Sequence, residues 1–128
     1  MALTMKWEDI RVSRTQRFWN EHSEWSQRTF GTDQERGPLG ALKHLEKEAR
    51  EAQAELLKLC DQQGDPTALE MEITDCLFLT FDAARRAGMT LDSLLDTAFK
   101  KLEKNKTRVW AKPATDNEPI EHVRGIND

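Results

Sequence analysis

The segment Leu39-Gly-Ala-Leu42-Lys-His44-Leu45-Glu-Lys-Glu48-Ala49-Arg-Glu51-Ala52-Gln-Ala-Glu55-Leu56-Leu-Lys-Leu59-Cys60 sets the architecture. Leu39, Leu42, Leu45, Ala49, Ala52, Leu56 and Leu59 recur in steps of three and four, the repeat of a helix with one apolar face. Pro38 in front suits a first helical turn, and Asp61-Gln-Gln-Gly64 behind reads as a turn. A helix is therefore expected over 38–60.

The same rhythm recurs on both sides. Residues 13–29 place Phe18, His22, Trp25 and then Phe30 near helical spacing, and Gly31 ends that helix ahead of a polar loop over 32–37. Asp65-Pro66 is a cap followed by a proline at the first helical position. A third helix follows with Leu69, Ile73, Cys76, Leu77, Thr80, Ala84 and Ala87 inward and Gly88 as its left-handed terminator. Thr90 caps a fourth, whose apolar face is Leu91, Leu94, Leu95, Ala98, Leu102 and Val109. Past Trp110 no period remains, and 111–128 reads as an irregular tail that wraps on the body or on a partner subunit. Short connections make neighbouring helices antiparallel. The expected fold is all-α, a small antiparallel bundle of about four helices.

Composition agrees. The 128 residues contain no Tyr and only ten Gly and Pro together, 33% are charged, and the net charge is −4. One domain over 1–128 is expected, with an N-terminal helix and loop (1–37), a helical core (38–110) and the tail. Its modest core favours oligomerisation. An acidic chain offers no footprint for a nucleic-acid polymer. Residues 1–6 lead into Trp-Glu-Asp, unlike a signal peptide, and no apolar run is long enough to span a membrane. Cys60 and Cys76 lack zinc-type spacing, and Cys76 is expected to be a reduced packing residue. A cytoplasmic location is expected.

Chemistry enters with the acids. At ~100° per residue from Leu45, Glu48 falls at about −60° and Glu51 at about −120°. From Leu69, Glu72 and Asp75 fall at about the same two phases. Both pairs therefore flank their apolar stripes on the same side. Four acids converging on a helix seam repel one another unless positive charge lies between them, and carboxylate oxygens suit hard divalent cations. The plainer reading is two solvated acidic faces, with Glu51 and Glu55 pairing to Lys47 and Lys58. His44 reads as a structural neighbour of the acids, and Asp82, Asp92 and Asp96 as exposed helix acids. Lys101, Asn105 and Arg108 share a stripe on the fourth helix, where amine, amide and guanidinium suit phosphate oxygens. Trp25 and Phe30 are candidates for a wall on which a base stacks; Phe18 and Trp19 suit the core better.

Three motifs stand out: Leu45-x-x-Glu48-x-x-Glu51, Glu72-x-x-Asp75-Cys-Leu and Lys101-x-x-x-Asn105-x-x-Arg108. On these the sequence resembles the MazG-like, all-α nucleoside triphosphate pyrophosphohydrolases. Gly37-Pro38-Leu39, His44-Leu45, Trp110 and Pro119-x-x-His122 resemble their dATP/dGTP branch, which occurs in phages and bacteria. The resemblance implies hydrolysis of purine deoxynucleoside triphosphates between the α- and β-phosphates, releasing a monophosphate and pyrophosphate in nucleotide-pool control. It also implies that Glu48, Glu51, Glu72 and Asp75 are the catalytic acids and hold two or three Mg²⁺ or Mn²⁺ ions. Lys101, Asn105 and Arg108 would contact the phosphates, in a homodimer or homotetramer. The alternatives are a pyrophosphatase for another nucleotide (dUTP or dCTP) and a non-catalytic helical interaction module.

Overall fold

The computed structural model describes residues 12–112 and 115–128. The reading of residues 1–9 as lacking a leader lies outside them. Four helices follow in order: α1 (Arg14–Phe30), α2 (Leu39–Cys60), α3 (Pro66–Arg86) and α4 (Leu91–Thr107). Among the described residues the only β-type pairing is an isolated bridge between Trp110 and His122, so the chain is all-α. No helix among the described residues is long and apolar enough to cross a membrane.

The helix ends follow local chemistry. Ser13 accepts a hydrogen bond from the Gln16 main chain, and Asp65 accepts one from that of Thr67 with Pro66 in the first turn. Gly31 and Gly88 take φ of +109° and +91°, which side-chain-bearing residues rarely adopt. In the α2–α3 turn a Cβ on Gly64 would approach the Leu59 nitrogen to 2.8 Å, so glycine is required there.

The chain divides into two compact units, Met1–Leu91 and Asp92–Asp128. In the first, α3 packs along α2 and also meets α1. Its buried apolar residues include Trp19, Ala41, Ala83, Ala84 and Leu91.

The covered faces differ from those the apolar repeat predicts. Leu39, Leu42 and Leu56 on α2 are exposed, as are Ile73, Leu77, Thr80 and Ala87 on α3, whereas Glu48 is buried. On the helical-phase scale, α2 has turned by roughly 40° towards its acidic flank, so its buried face centres on Ala41, Leu45, Glu48, Ala52 and Leu59. The wide apolar stripe thus has one edge inside the seam and the other open to solvent.

In the second unit, α4 ends at Thr107, which leaves Arg108 and Val109 beyond the helix. Leu95, Leu102 and Val109 are exposed. The tail folds back on the end of α4 rather than trailing away. Val123 N–H donates to the Val109 carbonyl (2.6 Å) and Ala111 N–H to that of Glu121 (3.2 Å). Two carbonyls at the helix end also accept from side chains: Trp110 Nε1 donates to that of Asn105 (2.9 Å) and Asn127 Nδ2 to that of Thr107 (2.6 Å).

Candidate active site

The rotation of α2 brings acids from two helices together. Glu48, Glu51 and Glu72 each place a carboxylate oxygen within 4.8 Å of the others. Asp75 is outside this set, yet it is half-buried, lines the same cavity as Glu48, and its charge bears on Glu72. The acids do not titrate alike. A hydrogen bond with Glu48, then burial and the surrounding negative charge, push the Glu72 carboxyl up to about 7. Burial works against the Glu48 charge, but hydrogen bonds with Glu72, Glu51 and His44 outweigh it and hold its carboxyl below the ordinary value. Close approach of the two carboxyls therefore favours the proton on Glu72 and the charge on Glu48.

One acceptor in this cluster is orphaned: Glu72 Oε2 is buried without a hydrogen-bond partner. A buried carboxylate oxygen without a donor is costly. Clustered, under-satisfied oxygen donors fit a hard divalent cation, with oxygen ligands and no thiolate in the set.

The neighbours of the cluster are specific. His44 Nε2 lies 2.8 Å from Glu48 Oε1, one turn along α2. Lys47 pairs with Glu51 at 3.5 Å and Lys58 with Glu55 at 2.8 Å, so the helix-surface pairings expected for these acids form. Both can coexist with a ligand role for Glu51, which is 43% exposed at its side chain and pairs at long range.

Beside the acids lies a cavity of about 170 Å³, whose lining includes Glu48, Asp75 and His44 together with His22, Trp25, Phe30 and Phe78. Trp25 and Phe30 meet edge to face at 5.4 Å, and each is nearly half exposed (46% and 47%). Flat aromatic surface is therefore open next to the acids. Phe18 and Trp19 instead pack on Phe81. His22 stacks on Phe18 and meets Phe78 at a tilt, and those two rings also touch each other. Burial lowers its pKa and keeps it neutral.

The wall behind this cavity rests on a network that sequence spacing did not reveal. Asp82 is buried at 7% exposure, a correction to its reading as an exposed helix acid. It accepts from Ser26 Oγ at 2.6 Å and pairs with Arg85 and Arg86. Arg86 donates from Nε to Asp82, from Nη1 to the carbonyls of Thr32 and Arg36, and from Nη2 to Ser26 Oγ and the Gly31 carbonyl. All five guanidinium N–H groups are thereby used. Arg85 adds a pair to Asp33 at 3.0 Å. The partners from α1 and the loop after it lie some fifty to sixty residues from Arg85 and Arg86, beyond any helical periodicity. Asp92 and Asp96 are exposed, as expected.

Lys101, Asn105 and Arg108 belong to the second unit. Lys101 is exposed, and Asn105 and Arg108 are half-buried with Arg108 Nη1 donating to Asn105 Oδ1 at 3.2 Å.

Comparison with known proteins agrees with the motifs. The model of the dATP/dGTP pyrophosphohydrolase family matches residues 18–128. The Eaa protein of Salmonella phage P22 is 42% identical over 113 residues, 88% of this chain and 31% of that protein. This chain thus spans about a third of that relative's length. No solved structure matches it. A match running from the first helix through the tail includes every acid and cation discussed above, and the chain belongs to the dATP/dGTP pyrophosphohydrolase family.

Proposed function

We propose that this protein is a metal-dependent hydrolase of purine deoxynucleoside triphosphates, dATP or dGTP, cleaving between the α- and β-phosphates in nucleotide-pool control. Water and the triphosphate give a nucleoside monophosphate and pyrophosphate. The observation that carries the reading is the Glu48–Glu51–Glu72 cluster, whose Glu48 also lines an aromatic cavity, in a chain of this family.

Glu48, Glu51, Glu72 and Asp75 would hold two or three Mg²⁺ or Mn²⁺ ions. Such ions supply charge neutralisation on the phosphate chain and a nucleophilic water at neutral pH. The protein's own residues do the rest. An outer member of one acid pair, Glu51 or Asp75, orients the water towards phosphorus. Lys101, Asn105 and Arg108 contact phosphate oxygens, with the guanidinium able to bind two at once. Trp25 and Phe30 provide the stacking wall. At about 170 Å³ the cavity is smaller than the roughly 300–1,000 Å³ of whole-ligand pockets. It suits the base, and leaves sugar and phosphates to run past the acids.

A homodimer or homotetramer is part of this proposal. Leu42, Leu56, Ile73 and Leu77 keep 45–57% of their surface exposed on the open edge of the α2–α3 stripe. Apolar faces of this kind are covered in oligomers.

The test is to incubate the purified protein with each common ribo- and deoxyribonucleoside triphosphate, with Mg²⁺ and with a chelator in its place. Pyrophosphate release from dATP or dGTP, abolished by the chelator, is the expected result. Release only from dUTP or dCTP would reassign the substrate. No release from any nucleotide would leave a helical interaction module.

A further inference from the structure

His44 stands apart from the acids in chemistry but not in place. Its Nε2 lies 2.8 Å from Glu48 Oε1, while the ring itself is half exposed along the cavity that Glu48 and Asp75 line. Glu48 is the most buried acid of the cluster and has neighbours on three sides: His44 along its own helix, Glu51 one turn on, and Glu72 across the seam. Two of those neighbours are acids. His44 is the one neighbour that can donate a hydrogen bond whatever the protonation of the acids, provided its proton is on Nε2.

We propose that His44 is a positioning residue for the metal site, acting through Glu48. This inference rests on the metal-binding reading given above. With Nε2–H donating to Oε1, one carboxylate oxygen is tied and the rotation of the carboxyl is fixed. The second oxygen is then aimed into the cluster, where Glu51 and Glu72 offer theirs. Without His44, Glu48 loses that donor and the carboxyl is free to rotate. A carboxylate that must be reoriented before it binds a cation binds it less tightly.

The geometry makes a chemical distinction that a general packing role would not. A glutamine amide nitrogen reaches the position of histidine Nε2, whereas an asparagine nitrogen reaches only that of Nδ1. Mn²⁺ binding to the full chain, measured by calorimetry without nucleotide, is therefore compared for wild type, His44→Gln, His44→Asn and His44→Ala. His44→Ala and His44→Asn are expected to weaken binding about tenfold or more, the range for partners that orient metal ligands. His44→Gln is expected to stay within about threefold of wild type. In steady-state assays the Mg²⁺ concentration for half-maximal rate shifts in the same order, with kcat at saturating Mg²⁺ changing less. The side chain is half exposed, so the helical circular-dichroism signal is unchanged in all three. Equal Mn²⁺ affinity in all four proteins, or equal losses in Gln and Asn, would overturn the role of His44 while leaving the metal site intact. Absence of Mn²⁺ binding by the wild type would overturn the metal reading and this inference together.

Discussion

Glu48 on α2 and Glu72 on α3 bring carboxylate oxygens within 4.8 Å of each other across the helix seam, and this closeness moves their carboxyls in opposite directions. A proton and the proposed cation would compete for the same oxygens, so the pair should respond to both pH and metal. Glu72 has its folded value at about 7, above the ordinary 4.5. The folded state therefore keeps a proton that the unfolded chain gives up, and the stability this lends is full below about 4.5 and lost as pH rises through about 7. In metal-free protein, wild type should lose thermal stability relative to Glu72→Gln between about pH 5 and about pH 8. Added Mn²⁺ should raise the wild-type melting temperature most at the alkaline end, where it no longer competes with the proton. Parallel melting curves for wild type and variant across this range would show that the Glu72 carboxyl is not raised.

Glu48→Gln and Asp75→Asn each remove a negative oxygen while keeping shape and volume. Both are expected to lower pyrophosphate release at least about 100-fold, the scale for losing a group that holds charge at a reacting phosphate. Circular dichroism should show the helical content retained. Asp75 is the more searching of the two, since its oxygens lie outside the 4.8 Å set formed by the other three acids. Full activity in Asp75→Asn would remove it from the site.

Arg86 holds the α1–α2 connection to the end of α3 through five acceptors. Lysine has three donors and no planar fork, so Arg86→Lys keeps the charge and strands several buried acceptors. Destabilisation of about 2–4 kcal/mol is expected, read from the urea midpoint. A change under about 0.5 kcal/mol would mean that the network is replaceable by water.

Ile73 and Leu77 test the assembly. Ile73→Asp or Leu77→Asp places a charge on the open edge of the stripe, and sedimentation velocity should then report a monomer where the wild type is a dimer or tetramer. A monomeric wild type would contradict the proposed assembly directly.

Much of this molecule is legible in its sequence, for local reasons. Ser13, Gly31, Asp65-Pro66 and Gly88 mark helix ends because each satisfies or terminates the main chain next to it. The matched phases of Glu48 and Glu72 foretell that they meet, because α2 and α3 are joined by a short turn and pack along one another. What escapes is set by tertiary contact. The apolar repeat of α2 is wide enough to serve two surfaces, and nothing in its period says that Leu45 faces the seam while Leu42 faces outward. The spacing of Asp82 and Arg86 reads like any helix-surface pair, and what buries it is Ser26, 56 residues away. His44, by contrast, was one turn from Glu48 all along, and the i,i+4 spacing is the signal that identifies it.

Cleavage between the α- and β-phosphates leaves a distinctive pair of products. Purified protein, Mg²⁺ and dGTP or dATP are incubated, quenched and resolved by ion exchange. Equimolar deoxynucleoside monophosphate and pyrophosphate are expected; a deoxynucleoside diphosphate with orthophosphate, or no product from either nucleotide, would overturn the proposed function.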